Sequence, residues 1–254
     1  MLPPPIKNLR RYTPPLDNFG RERRAAVLVP LIIEPSSGEI QVLLTLRSAN
    51  LRKHGGEVAL PGGRHETDDV DLLATALREA EEEIGLPQDS VQCVTVLPPF
   101  LSRFHLLVTP VVGMVPSDFV PRPNPEEVAA CFKVPLRRFL RDQAHRYLDV
   151  PWEACSSLCG AGGIWRKHAF WWTDPTGDEY KMCVASPRLL VECHSSDMDF
   201  QRFGLTADIM IQVAVLAYDA KPEFQVDAPG QPDAEEIIKA LDAKGKFGPP
   251  MARL

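Results

Sequence analysis

Nine residues, running from Arg78 to Leu86 as REAEEEIGL, constrain this chain more than any other segment. They close a helical pattern over 71–86, in which Leu72, Leu73, Ala76, Leu77, Ala80 and Ile84 recur at the spacing of one buried helix face. Asp71 stands where a side chain can cap the first turn, and Gly85 followed by Pro87 ends the pattern. On such a helix Glu79, Glu82 and Glu83 share one face, because positions three and four apart are neighbours. Like charges at that spacing repel and weaken a helix, so the arrangement needs a reason. One reason is a plain solvated face, the usual fate of a charge run. The other is a divalent cation. Mg²⁺ takes oxygen ligands, commonly one or two carboxylates together with phosphate oxygens of a substrate.

The residues before the helix favour the second reading. LPGGRHETDD (60–69) leads directly into it. Gly62 and Gly63 after Pro61 give a backbone that can approach a phosphate closely, and Arg64 adds a cationic donor.

Around this segment the chain reads as alternating strands and helices. Residues 25–33 (AAVLVPLII) and 40–47 (IQVLLTLR) are strands joined by the turn PSSGE, so they form a hairpin. Residues 48–71 form a long loop around the short apolar stretch Val58–Leu60, and loops of that length in compact domains usually carry function. Strands follow at 90–97 and 106–115, a short amphipathic helix at 134–140, strands at 164–172 and 179–185, and helices at 204–220 and 232–245. The class is α/β, with a mixed β-sheet sandwiched between α-helices. The expected organisation is an irregular proline-rich arm (1–24), one main domain (25–222) with an insertion at about 141–200, and a C-terminal extension (223–254).

The net charge of −6 gives no basic field for nucleic acid. No apolar run reaches the ~18 residues of a membrane span, so neither nucleic acid nor membrane is expected as a partner. The N-terminal MLPPPIKNLRRYTPP lacks the apolar core of a secretion signal, and its prolines argue against the amphipathic helix of a mitochondrial presequence. The six cysteines (Cys93, Cys131, Cys155, Cys159, Cys183, Cys193) are scattered and expected to be reduced and mostly buried. Cys155, Cys159, Cys183, Cys193 and His194 are too irregularly spaced for a structural zinc site. Trp152, Trp165, Trp171 and Trp172 read as core residues, one of them an optional stacking partner for a base.

Gly63, five residues, Asp69, then REAEEEIGL resembles the Nudix box: glycine, five residues, glutamate, seven residues, then Arg-Glu-apolar-any-Glu-Glu-any-Gly-apolar. The second half matches at every fixed position. In the first half Asp69 stands for glutamate and eight residues separate it from Arg78; Asp69 and Glu66 are both candidates for that acidic slot. The resemblance implies a Nudix fold and hydrolysis of a nucleoside diphosphate linked to another group. It implies Mg²⁺ or Mn²⁺ held by Glu79, Glu82 and Glu83, with Arg78, Glu79 and Glu82 in catalysis. The water is activated by one of these glutamates or by a carboxylate from a distant loop, for which Glu126 and Glu127 are candidates.

The segment LLTLRSANLRKHGGEVALPGG (43–63) also resembles the added signature of the coenzyme A diphosphatase subfamily. Leu43, Leu44, Thr45, Arg47, Ser48, Arg52, Gly56, Pro61, Gly62 and Gly63 fall on its fixed positions, and Leu60 replaces a phenylalanine. NPEEV (124–128) and FGLTA (203–207) resemble the same group. This implies cleavage of CoA or acyl-CoA to 3′,5′-ADP and 4′-phosphopantetheine or its acyl form, with Arg47, Arg52, Gly56, Gly62, Gly63 and Arg64 contacting substrate. Arg103 and His105 are further candidates, His105 being as well explained by a structural role. Rival readings are a Nudix diphosphatase for ADP-ribose or a dinucleotide, and a Nudix-fold binding module without catalysis. The terminal Ala252-Arg253-Leu254 is similar to a peroxisomal address, implying an import receptor as partner and a peroxisomal or glycosomal location in a eukaryote, and a cytoplasmic one otherwise.

Overall fold

A computed structural model describes residues 2–20, 22–52, 54–102, 105–152, 163–182 and 205–248. Its centre is β1 (Arg24–Ile33), whose alternate side chains enter two cores. Leu28 and Ile32 face one layer of helix, Val29 and Leu31 the other. A strand buried on both faces is the reason the sequence there is an unbroken apolar run.

β1 pairs in parallel with β7 (Leu107–Met114) and antiparallel with β2 (Ile40–Arg47), whose register Ile33↔Ile40 confirms the hairpin. β2 also pairs with β3 (Val58–Ala59) and with β8 (Val128–Pro135), and β4 (Gly62–Arg64) pairs with the start of β1. β5 (Gln92–Val96) and β6 (Phe100–Leu101) pair with β7. This mixed eight-stranded sheet carries α2 (Leu72–Ile84) on one face through Ala76, Ala80 and Ile84. The other face carries α1 (Pro4–Arg11) and α3 (Leu205–Tyr218). The expected mixed α/β sandwich is thus present. A separate antiparallel sheet of β9 (His145–Trp152), β10 (Gly163–Thr173) and β11 (Glu179–Met182) lies within the expected insertion. α4 (Ala234–Ala243) closes a small third cluster with Leu107 and Phe247. No helix among the described residues is long and apolar enough to cross a membrane.

Three local expectations are corrected. The N-terminal arm is not irregular throughout: Pro4 and Pro5 occupy the first two positions of α1, where no intrahelical donor is lost, and Ile6 and Leu9 are fully buried. The proline objection to an amphipathic helix therefore fails. Residues 134–140 are not one helix, because Val134 and Pro135 end β8 and only Leu136–Leu140 turns, as a 3₁₀ helix. β8 itself was missed, since its main partner is β2, across the register Gln41↔Pro135 to Thr45↔Cys131 and beyond, and not a sequence neighbour. Of the two cysteines among the described residues, both free thiols, Cys131 is half-buried and Cys93 is exposed, against the burial expected for it. The candidate zinc ligands Cys155, Cys159, Cys183, Cys193 and His194 lie outside the described residues, as does the 252–254 tail.

The second sheet is fastened by a buried histidine pair. His145 Nε2 and His168 Nδ1 lie 2.9 Å apart, and His168 Nε2 lies 2.8 Å from the Val226 carbonyl. That carbonyl only accepts, so Nε2 of His168 carries the hydrogen and His145 donates to Nδ1. Burial holds His168 down at about 4, helped by the nearby charges of His145 and Arg166 and opposed by the Val226 bond. His145 is lowered by burial as well, against the pull of Asp142. Because the folded value lies below the unfolded ~6.5, the unfolded chain binds more protons in between. Stability is then full above pH ~6.5 and falls as pH drops towards 4, by an amount on the order of 3 kcal/mol at most. Urea unfolding at pH 7.5 and 4.5 checks this: His168→Gln should destabilise at pH 7.5 and show a shallower loss on acidification. An unchanged pH slope in the variant would exclude the pair as its source.

Candidate active site

α2 is positioned from both ends. Asp71 caps it by accepting the Ala74 N–H at 2.7 Å, and Gly85 leaves it in the left-handed conformation, with φ 67°. The segment after Gly85 then returns to the helix terminus. Arg122 N–H donates to the Ile84 carbonyl at 2.8 Å, and Asn124 N–H to the Glu83 carbonyl at 2.9 Å.

The three helix glutamates do not share one environment. Glu83 is buried, its side chain 2% exposed. Its carboxylate accepts from Arg47 Nη1 and from the Gly62 N–H, both at 3.2 Å. Burial pushes Glu83 up to about 7, against Arg47 and the Gly62 bond, with Glu79 and Glu127 adding repulsion. Glu79 is also raised, first by burial, with Arg78 opposing and Glu82 and Glu127 reinforcing. Glu82 is 56% exposed and pairs with Arg78 at 3.2 Å. One helix face thus splits into two inward carboxylates and one outward.

Glycine is required where the helix meets β4. A Cβ on Gly63 would enter the Glu79 carboxylate, and one on Gly62 would strike the backbone of Ala26 and Val27.

Arg78 links the box together. Its Nε and Nη2 reach the two oxygens of Asp69 at 2.9 and 3.1 Å, its Nη1 reaches Glu79 and Glu82 at 3.2 Å each, and Nη2 also donates to the Arg64 carbonyl at 3.2 Å. Asp69 fills the acidic slot. Glu66 is exposed and meets Asp69 through its backbone alone, its N–H donating to the Asp69 carboxylate at 3.0 Å and its carbonyl accepting the Asp69 N–H at 3.2 Å. The Arg78 guanidinium beside Asp69 holds that carboxyl far below the usual range, aided by the Glu66 and Thr75 bonds and opposed by partial burial. Thr75, fully buried, donates to Asp69 at 2.8 Å and lies 2.9 Å from His65 Nδ1. Neither Thr75 nor His65 was legible as part of the site, since each reads alone as an ordinary core or loop residue.

Of the two loop candidates, Glu126 is exposed, whereas Glu127 is half-buried and acts on both Glu79 and Glu83. Arg47 is engaged with Glu83 rather than extended towards solvent. Arg52 and Arg64 are exposed. Gly56 sits in a turn with φ 75°, its N–H donating to the Arg47 carbonyl at 3.1 Å. His105 is part of a structural contact, its carbonyl accepting from Arg23 Nε at 3.2 Å. Arg103 lies outside the described residues.

Among the described residues no three His, Cys, Asp or Glu side chains converge as a ready-made metal cage. The donor chemistry nevertheless fits Mg²⁺ or Mn²⁺: burial makes the charges of Glu79 and Glu83 costly without a cation, and the charge of Glu127 acts on both.

A model of the NUDIX domain matches residues 22–151. Nudix hydrolase 15, mitochondrial, of Arabidopsis thaliana is 39% identical over 215 residues, covering 84% of this chain and 65% of that protein. Nudix hydrolase 22, chloroplastic, of the same plant is 39% identical over 206 residues, covering 80% and 58%. The Uncharacterized Nudix hydrolase NudL of Photorhabdus laumondii is 46% identical over 149 residues, covering 59% and 73%. This chain therefore spans less than two thirds of the length of either plant relative. With the domain match extending over half the chain, and the glutamate helix and its glycine approach inside it, the chain belongs to the Nudix family.

Proposed function

We propose that the protein is a divalent-metal-dependent hydrolase that cleaves the diphosphate bond of CoA or acyl-CoA, giving 3′,5′-ADP and 4′-phosphopantetheine or its acyl form. The observation that carries this reading is the joining of two sequence signatures at one side chain. Arg47 and Gly62, both from the CoA-type segment 43–63, converge on the two oxygens of Glu83 in the Nudix box. The names of the relatives extend to hydrolase but specify no substrate.

Glu79, Glu82 and Glu83 would hold Mg²⁺ or Mn²⁺, with Glu127 facing them. Once bound, the cation supplies charge neutralisation and Lewis-acid polarisation of the diphosphate oxygens. Arg47 orients Glu83 and opposes the effect of its burial, and Arg78 pairs with both Glu79 and Glu82. Gly62 and Gly63 let β4 lie tight against β1 and the Glu79 carboxylate, which a Cβ at either position would displace. Exposed Arg52 and Arg64 offer guanidinium forks for the outer phosphates of the substrate. Water attacks one phosphorus of the diphosphate, the bridging P–O bond breaks, and the water proton passes to a carboxylate of the cluster.

Hydrolysis is measured with and without millimolar Mg²⁺ or Mn²⁺, using CoA, ADP-ribose and a dinucleotide in parallel, with products separated by chromatography. The expected result is metal-dependent release of 3′,5′-ADP, with CoA turned over fastest. Faster turnover of ADP-ribose or a dinucleotide would overturn the CoA assignment. Failure on all three would return the binding-module reading.

A further inference from the structure

Glu127 is half-buried and its charge acts on both Glu79 and Glu83, and its segment is a connection between β7 and β8 with no helix of its own. We infer that Asn124 is a positioning residue that clips this connection to the end of α2 and so holds Glu127 against the helix carboxylates. The inference rests on the metal-site reading above.

The clip is built from both ends of one residue. Asn124 N–H donates to the Glu83 carbonyl at 2.9 Å, joining it to the helix at a proposed ligand. Its own carbonyl accepts from the N–H groups of Glu127 and Val128, at 3.0 and 2.7 Å. Its side-chain Oδ1 accepts the Glu126 N–H at 3.2 Å, the side-chain-to-backbone turn that asparagine forms readily. On the far side the Glu127 carbonyl accepts the Ser48 N–H at 2.8 Å, one residue beyond Arg47. Glu127 is therefore tethered between the helix terminus and the end of β2. Gly85 allows the return path, since a side chain there would press on Arg122 and would be strained at φ 67°. Only the Oδ1 bond depends on the side chain of Asn124. Losing it should free the turn while leaving the backbone bonds able to form.

Mn²⁺ alone is the probe, titrated into the full chain and followed by the loss of the free-ion EPR signal. Thermal stability is measured alongside. Asn124→Ala and Glu127→Gln should each weaken Mn²⁺ binding by about tenfold, the lower range for residues that orient ligands. Combining them should cost no more than Glu127→Gln alone, because both act through one carboxylate. Asn124→Ser, which keeps an accepting oxygen, should recover part of the affinity. A fall in thermal stability with unchanged Mn²⁺ affinity would overturn the inference, and so would multiplicative losses in the double variant or unchanged binding in Glu127→Gln. If the wild type bound Mn²⁺ in this pattern but left CoA intact, the positioning role would stand and the substrate assignment alone would fall.

Discussion

Glu83→Gln leaves a folded protein whose hydrolytic turnover falls by roughly 10²–10⁴-fold, the scale on which a group acting in the transition state contributes. The substitution keeps the side-chain volume in a site only 2% exposed, and the amide oxygen still accepts from the Gly62 N–H. What disappears is the charge. Burial already opposes that charge and holds the group at about 7, above its unfolded value. The sign follows: a carboxyl raised on folding favours the folded state less as pH rises through the unfolded and then the folded value. Glutamine removes this term, so at pH 8 the variant should be no less stable than the wild type, apart from the loss of the Arg47 partner. Mg²⁺ should raise the melting temperature of the wild type and leave that of Glu83→Gln almost unchanged, since ligand-linked stabilisation follows affinity for the folded state. Near-normal turnover in Glu83→Gln would remove the metal-helix argument. A melting temperature far below the wild type would instead make Glu83 a structural residue. Glu82→Gln is the useful contrast, because Glu82 is largely exposed and its loss tests ligation with little effect on packing.

The glutamate helix was legible in detail because its signals are local. Asp71, the apolar spacing and Gly85 lie within one segment, and the structure places all three as expected. The different fates of Glu82 and Glu83 were not legible. Both fit one helical face, and only the approach of β4 and Arg47 decides which is buried. Arg47 shows the same limit: an arginine at a strand end suits a phosphate or a carboxylate, and the buried glutamate it meets comes from 36 positions away. Spacing from Gly63 favoured Asp69, but the extra residue before Arg78 and the aspartate in a glutamate slot left Glu66 open. Loop closure selects Asp69, whose carboxylate accepts from Arg78, Thr75 and the Glu66 backbone together. β8 was hidden for the reason that it joins the sheet only by long-range pairing.

Gly62→Ala and Gly63→Ala should differ sharply although they are neighbours, and the difference tests how the backbone serves the site. A methyl group on Gly62 meets the Val27 Cα at 2.6 Å and the Ala26 carbonyl, which are backbone atoms of the central strand and cannot rotate aside. The pairing Val27↔Gly62 and the bond from Leu28 N–H to the Pro61 carbonyl, at 2.8 Å, would have to open. Overpacking of this kind costs about 1–3 kcal/mol. In a chain of this size that lowers the melting temperature by roughly 3–10 °C. Activity should fall with it, because the Gly62 N–H that steadies Glu83 moves too. On Gly63 the three atoms nearest the methyl all belong to the carboxylate end of Glu79, which can swing away. Gly63→Ala should therefore keep a melting temperature near the wild type while losing cation affinity and turnover by about tenfold or more, as expected when a metal-binding carboxylate is displaced. Thermal unfolding and Mn²⁺ titration on the two variants separate the cases. Equal losses of stability would mean that Glu79 is as immobile as the strand. Unchanged Mn²⁺ binding in Gly63→Ala would mean that Glu79 takes no part in holding the cation.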